Sequence, residues 1–67
     1  MSVTWPEIDA WRAEKDMQKS DLARMAGIPE STIYRGLKHK SKLQPSMRTI
    51  MRGIFPDKFK ELEIADV

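Results

Sequence analysis

The sequence predicts an all-α fold, a compact bundle of about five short helices. Apolar residues recur at helical spacing in segments 8–11, 22–26, 47–55 and 55–62. Proline stands at the start of helical segments at positions 6, 45 and 56, where its missing N–H costs a helix little. With 67 residues, we expect one small domain, residues 1–67, in which burial is marginal.

The first helix is predicted to begin after Thr4 and to run to about Lys15. The Thr4 hydroxyl can cap free backbone N–H groups, and Glu7 can reach back as in a capping box. Ile8 and Trp11 share one face of this helix, so we expect both to be core residues.

The segment Ser20–Arg35 predicts two short helices joined by a sharp turn. We expect the helices at about Lys19–Ala26 and Pro29–Lys38, with Gly27 between them supplying positive φ. Ile28 fills the space between the helices, and Ile33 points inward. This is the helix-turn-helix plan, in which the second helix enters the DNA major groove. The predicted apolar stripe of the first helix consists of Leu22, Ala23, Met25 and Ala26.

Gly36 lies inside the second helix of this pair, at a cost of about 1 kcal/mol relative to alanine. Close approach of another helix would explain it. So would close approach of DNA, or an early end of the helix.

A fourth helix is predicted from Pro45, and Pro56 both ends it and begins a fifth. Phe55, Phe59 and Leu62 recur at helical spacing across this junction. The tail 56–67 therefore either closes the monomer core or forms a dimer surface, and a strand-like tail over 63–67 is an alternative. The apolar side of the fourth helix is predicted to contain Met47, Ile50, Met51, Ile54 and Phe55.

Charge is distributed unevenly along the chain. Residues 1–30 hold six acids and four bases, residues 57–67 hold four acids and two bases, and residues 31–56 hold six bases and no acid. This is the pattern expected of a phosphate-binding face, although a solvated basic loop is the alternative. The six bases are Arg35, Lys38, Lys40, Lys42, Arg48 and Arg52.

The central segment resembles the Cro/C1-type (XRE-like) helix-turn-helix family of small phage and bacterial repressors. The resemblance covers about Ile8–Phe55 and departs from the family at Gln18 and Lys19, where the family commonly has serine and glutamine. It implies a lambda-repressor-like DNA-binding domain. It is carried by Ala23, Gly27 and Ile33 at the family's spacing, by Leu22, Ile28 and Leu37, and by the helix start Pro45–Ile50.

The resemblance implies a sequence-specific transcriptional regulator of duplex DNA, acting in the bacterial cytoplasm and nucleoid. We expect a homodimer on an inverted-repeat operator, with half-sites about 34 Å apart. Autoregulatory repression of phage or mobile-element genes is the expected output, with activation also open.

The same resemblance assigns roles to individual residues. Arg35 is the first choice for base reading because a guanidinium can meet both acceptors of guanine, with a phosphate contact as its alternative. Glu30 either accepts from cytosine or serves as an acid at a helix N-terminus, and Tyr34 is either a groove contact or partly buried. The predicted base-reading residues are Glu30, Ser31, Tyr34 and Arg35. The predicted backbone contacts are Lys19, Thr32, Lys38, Lys40 and Lys42, and the predicted dimerisation residues are Phe55, Phe59 and Leu62.

Other functional classes find little support in the sequence. There is no cysteine and only one histidine, His39, which disfavours thiolate chemistry and a multi-histidine metal site. The sequence also contains no glycine-rich phosphate loop and no long apolar run. We expect no enzyme activity, no cofactor, no metal, no small-molecule ligand and no membrane association. The rival functions are a protein-binding antitoxin or antirepressor module on the same fold, and non-specific packaging of nucleic acid.

Overall fold

The computed structural model describes the backbone of residues 3–65 and the side chains of residues 3–62. Within this range the chain forms five helices and confirms the predicted all-α bundle with a central helix-turn-helix. None of these helices has the length and apolar character needed to cross a membrane. The helices are α1 (Trp5–Glu14), α2 (Lys19–Ala26), α3 (Glu30–His39), α4 (Pro45–Ile54) and α5 (Pro56–Ala65).

The core is formed by buried apolar side chains from all five helices and from the segment before α1. Trp11 packs edge-on against Phe55 and Phe59, with ring centroids 5.9 Å and 5.5 Å away. Phe59 of the tail therefore belongs to the monomer core, together with Phe55 just before the tail, as in the first of the predicted alternatives. The buried apolar residues are Val3, Trp5, Ile8, Leu22, Ala23, Ala26, Ile33, Met51, Phe55 and Phe59.

Two apolar residues predicted to face inward lie at the surface. The Met25 side chain is 60% exposed, because the inward face of α2 is centred on Ala26 and Met25 falls outside it. Ile50 is 37% exposed, because it lies at the edge of the α4 face whose centre is Met51. The predicted inward orientation of both side chains was wrong for the same reason. Hydrophobicity alone does not locate the centre of a buried helix face.

The N-terminus of α1 lacks the predicted side-chain cap, whereas that of α2 is stabilised by an acid in its first turn. Thr4 is the N-cap residue of α1, but its side chain makes no capping hydrogen bond, so the predicted capping box with Glu7 is not formed. At α2, the N–H of Gln18 donates to the Asp21 carboxylate at 3.1 Å. An acid in the first turn thus satisfies a backbone donor there and complements the helix dipole.

The turn between α2 and α3 has the predicted glycine geometry. Gly27 has φ +70° and ψ 34°, in the left-handed region. Its N–H donates to the Arg24 carbonyl at 3.2 Å, and the Ile28 N–H donates to the Ala23 carbonyl at 3.0 Å. These two bonds satisfy carbonyls at the end of α2 and direct the chain into α3. Helix α3 begins at Glu30, with Pro29 as its N-cap residue, one position later than predicted.

Gly36 is required by the approach of another helix, one of the three predicted explanations. A Cβ placed on Gly36 would lie 2.2 Å from Cδ1 and 2.6 Å from Nε1 of the Trp5 indole. These separations are far inside van der Waals contact, so the indole occupies the space that any side chain at this position would need. The buried ring thereby fixes the start of α1 against the middle of α3.

The segment before α1 also pairs with the loop that follows α3. An antiparallel β-bridge joins Thr4 to Lys42. The Leu43 N–H donates to the Val3 carbonyl at 2.8 Å, and the Trp5 N–H donates to the Ser41 carbonyl at 3.0 Å. The loop that the sequence predicted as polar and lysine-rich is therefore held to the body of the domain by its backbone.

Ion pairs connect α1 to α5. Lys15 lies 3.5 Å from Asp57, and Lys58 lies 3.0 Å from Glu14. Burial raises the pKa of Asp57, but hydrogen bonds from backbone N–H groups and the Lys15 charge outweigh it and lower that pKa overall. The hydrogen bond to Glu14 raises the pKa of Lys58. Such surface pairs contribute little free energy but favour this placement of α5 on α1.

Two helical glycines provide a matched test of the Trp5 contact. Replacing either Gly36 or Gly53 with alanine gains up to about 1 kcal/mol of helix propensity. At Gly53 no atom lies within 4 Å of the added Cβ, so Gly53→Ala is expected to stabilise the fold. At Gly36 the added Cβ collides with the indole, and overpacking of this kind costs about 1–3 kcal/mol. Urea denaturation should therefore give changes of opposite sign, and equal stabilisation by both variants would contradict the contact.

The turn glycine gives a second test, because Gly27 has free space around it but positive φ. A β-branched residue rarely adopts this conformation, so Gly27→Val is expected to destabilise the domain by about 1–2 kcal/mol or more. Gly27→Asn is expected to cost less, since asparagine tolerates the left-handed region. Thermal melting of the two variants checks the order, and equal melting temperatures would argue against the left-handed turn.

Candidate nucleic-acid interface

The outward face of α3 carries the predicted base-reading residues. Ile33 and Gly36 are buried, which fixes the rotation of the helix about its axis. The opposite face is then exposed along its length, as the helical repeat requires. The exposed side chains on α3 include Glu30, Ser31, Tyr34, Arg35 and Lys38. The structure thus brings all four predicted base-reading residues to the surface of one helix, although their contacts with DNA stay a prediction.

Tyr34 is 54% exposed, which favours the groove-contact alternative over partial burial. The ammonium of Lys19, at the N-terminus of α2, lies 5.9 Å from the centroid of the Tyr34 ring. The same ammonium lies 3.6 Å from the carboxylate of Asp9. Lys19 is therefore held beside the exposed face of α3, with part of its charge balanced by α1.

A polar cleft of about 330 Å³ separates the start of α2 from the start of α3. Lys19, Ser20, Glu30 and Tyr34 line it, together with Arg12 and Gln18. Glu30 lies in the first turn of α3, so its role as an acid at a helix N-terminus is compatible with its position.

The cations of α3 and the following loop differ from those of α1 and α2 in having no counter-ions among the described residues. Arg35, Lys38, Lys40 and Lys42 are exposed, and none forms an ion pair with another residue in the described part of the chain. By contrast, Arg12 pairs with Asp9 at 2.9 Å. The remaining pairs outside this face include Arg24–Asp21 at 2.9 Å. Positive charge is therefore neutralised around α1 and α2 and left uncompensated along α3 and residues 40–42, which favours an anionic partner there.

The loop after α3 has a defined backbone. Lys40 ends the helix with φ +50°, and the Ser41 N–H donates to the Gly36 carbonyl at 3.0 Å. Lys42 is the loop residue paired with Thr4 in the β-bridge. The two exposed lysines are consequently presented by a fixed loop rather than by a free one.

A second cavity, of about 260 Å³, opens between the C-terminal half of α3 and the start of α4. Thr32 is half-buried and lines this cavity, so it lies on the side of α3 that faces α4 rather than on the outward face. Sequence reasoning missed the contributions of Trp5, His39, Gln44 and Ser46 to this cavity. Pro45 signalled the start of a helix, but no local pattern placed that start beside Arg35.

The three predicted dimerisation residues occupy different environments. Phe55 and Phe59 are buried inside the single chain, with 0% and 1% of their surface exposed. Leu62 is half-buried against the same core. Helix α5 continues to Ala65, which replaces the strand-like alternative over residues 63–65, and the structure of residues 66–67 lies outside the described range. Dimerisation through the tail stays a prediction, and of the three side chains only Leu62 retains substantial surface for it.

No group of three or more histidine, cysteine, aspartate or glutamate side chains suited to a metal ion occurs among the described residues. The exposed residues of α3 and of the loop 40–42 include cations and hydroxyls, which are ligands for phosphate groups.

Comparison with known proteins identifies the family. The profile of the CENP-B N-terminal DNA-binding domain matches residues 11–47, which run from within α1, through α2 and α3, into the first turn of α4. No curated protein and no solved structure matches the chain significantly. The match confirms the predicted helix-turn-helix type of DNA-binding domain, whereas the narrower resemblance to the Cro/C1-type family stays a prediction. Since the match covers more than half of the sequence, the chain belongs to the CENP-B N-terminal DNA-binding domain family.

Proposed function

We propose that this protein is a transcriptional regulator that binds specific duplex-DNA sequences by placing α3 in the major groove. The observation that supports this most is the exposed face of α3, where Arg35 lies among cations without counter-ions. Membership of a DNA-binding domain family supports the ligand class. The major groove admits one α-helix, and the first two turns of a recognition helix meet the base edges.

Base reading is proposed for the exposed residues of the first two turns of α3. Arg35 donates two hydrogen bonds to the O6 and N7 acceptors of guanine. Ser31 bonds a base edge, and Tyr34 places its ring against a thymine methyl. Glu30 accepts from cytosine or, in its alternative role, stabilises the start of α3.

Contacts to the DNA backbone are proposed on both sides of that helix. Lys19 reaches a phosphate from the start of α2, and Lys38, Lys40 and Lys42 reach phosphates beyond the end of α3. Thr32 contributes a hydroxyl from the side of α3 that faces α4. These contacts set the register of the helix on the duplex without reading sequence.

The regulatory role is proposed from the Cro/C1-type resemblance. In this account two copies bind an inverted-repeat operator, one α3 in each half-site, and repress the gene that encodes the protein in a phage or mobile element. Activation, through contact of the bound domain with RNA polymerase, is the alternative output. The dimer surface is proposed on α5 around Leu62, since Phe55 and Phe59 already serve the monomer core. The site of action is then the bacterial cytoplasm and nucleoid.

A pair of alanine substitutions on α3 separates base reading from backbone binding. Arg35→Ala and Lys38→Ala each remove one exposed, unpaired cation. Arg35→Ala is expected to weaken the free energy of binding by about 1–3 kcal/mol on a duplex selected from a random library. On random duplex the loss of binding free energy is expected to be much smaller. Lys38→Ala is expected to weaken both duplexes alike and to reduce the salt slope of log K by about one.

Fluorescence anisotropy across a salt series provides the measurement. Equal losses of affinity for both duplexes in Arg35→Ala would mean that Arg35 contacts only phosphate, and would favour non-specific packaging of nucleic acid. If the selection recovers no preferred duplex and binding is absent even at low salt, the protein-binding antitoxin or antirepressor module becomes the better account.

The proposed dimer is tested by removing residues 63–67. We expect the full chain to sediment as a dimer on its selected duplex, and the shortened chain to bind as separate monomers while keeping its thermal transition, because the described core residues all precede residue 63. Sedimentation velocity and circular dichroism give the two readouts. An unchanged dimer after the deletion would place the interface elsewhere, and a full chain that binds one copy per duplex would contradict the dimer.

A further inference from the structure

We propose that the cavity between α3 and α4 is a phosphate site in which the Trp5 indole N–H and the first turn of α4 hold one oxyanion. The DNA backbone is the expected source of that phosphate, so this source rests on the proposed function. The phosphate chemistry of the cavity stands on its own geometry. Trp5 then contacts a ligand through its indole N–H, while the rest of its side chain packs in the core.

The indole N–H is a buried donor without an internal partner. Trp5 is only 6% exposed, and no described residue accepts a hydrogen bond from its indole nitrogen. Every fully enclosed side-chain nitrogen or oxygen in the described part of the chain has a hydrogen-bond partner. Since the Trp5 indole nitrogen has no partner, it is not fully enclosed and keeps contact with solvent. Trp5 lines the cavity, and its indole nitrogen lies beside Gly36, which lines the same cavity, so we place that contact there. A largely buried donor of this kind is expected to donate to a hydrogen-bond acceptor inside the cavity.

The first turn of α4 supplies further donors. Gln44 is the N-cap residue and its side chain makes no capping hydrogen bond. The backbone N–H groups of Ser46 and Met47 precede the first intrahelical donor, Arg48, and donate to no backbone carbonyl in the described chain. No acid occupies this turn, in contrast to the first turns of the other four helices. Free N–H groups and the helix dipole together favour an anion at this end.

The charged side chains that line the cavity are positive, as binding of an anion requires. Arg35 and Lys42 line the cavity, and neither forms an ion pair with another described residue. None of the residues lining the cavity is acidic. The hydroxyls of Thr32 and Ser46 add neutral donors. The residues that line this space of about 260 Å³ therefore include cations, hydroxyl side chains and the start of α4, and the volume admits a phosphate group.

The position of the cavity favours a phosphodiester over a free ion. Arg35 belongs both to its wall and to the outward face of α3, so a duplex that receives α3 in its major groove brings a flanking phosphate to the cavity mouth. Backbone contacts from helix N-termini are common in protein–DNA complexes. The Trp5–Gly36 contact would then place the phosphate donor directly against the recognition helix.

The test follows the two indole N–H resonances of the ¹⁵N-labelled full chain. The Trp5 resonance is assigned by its nuclear Overhauser contact with Gly36, and the Trp11 resonance by contacts with Phe55 and Phe59. Addition of inorganic phosphate is expected to move the Trp5 indole signal downfield and to leave that of Trp11 in place. If neither signal moves, or both move alike, the phosphate site is overturned.

A charge-matched pair of variants tests the walls. Lys42→Gln removes a cavity cation and is expected to raise the Kd for inorganic phosphate by about tenfold, as expected for loss of one charge-assisted hydrogen bond. Lys60→Gln removes an exposed cation of α5 that does not line the cavity. It is expected to leave that Kd within about twofold, because salt screens charges that make no direct contact. Equal effects of the two variants would mean that the phosphate responds only to net charge, which overturns the site.

Titration with duplex DNA distinguishes the two sources. Movement of the Trp5 signal by both inorganic phosphate and duplex, with phosphate competing against duplex, supports a backbone phosphate in the cavity. Movement by phosphate alone, while other resonances show that duplex binds, overturns the DNA source and leaves a site for the free ion. If duplex binds nowhere, the proposed function fails, and the phosphate titration still decides whether the cavity is an anion site.

Discussion

The contact between the Trp5 indole and the backbone of Gly36 is the constraint on which the rest of this structure depends. The ring occupies the space of the missing side chain, with Cδ1 2.2 Å from where a Cβ would stand. The backbone N–H of Trp5 also donates to the Ser41 carbonyl at 3.0 Å. One residue thus fixes the start of α1, the middle of α3 and the loop beyond it. The rotation of α3, and so which of its side chains face outward, follows from this packing.

Charge then decides what that outward face can bind. Around α1 and α2, acids lie within ion-pair distance of cations, as between Asp9 and Arg12. On α3 and the loop that follows it, exposed cations have no such partners in the described chain. The same fold with the acids redistributed would keep its core but would lose its attraction for a polyanion. The DNA-binding character of the family therefore has a local physical basis in this chain, in the separation of paired from unpaired cations.

The sequence was most informative where structure is set by neighbouring residues. Gly27 predicted its left-handed turn, and Pro45 and Pro56 predicted two helix starts, because these residues restrict their own backbone. The exposed Met25 was misplaced, since the centre of a buried face depends on the partner helix. The Trp5–Gly36 contact, the pairing of Thr4 with Lys42 and the cavity beside α4 join residues far apart in sequence. For the same reason, the predicted base-reading residues could be placed on the exposed face of α3 from helical periodicity, whereas the contributions of α1 and α4 to the cavity could not.

The most direct test that the outward face of α3 binds DNA is a map of backbone amide shifts on addition of duplex DNA to the ¹⁵N-labelled chain. Perturbations are expected to concentrate in residues 29–46, from the start of α3 through the cationic loop to the first turn of α4, with a smaller group near Lys19. Residues 57–62 of α5 are expected to change little. Perturbations centred on α5, or on the exposed side of α2 around Met25, would contradict the assignment of this face to DNA.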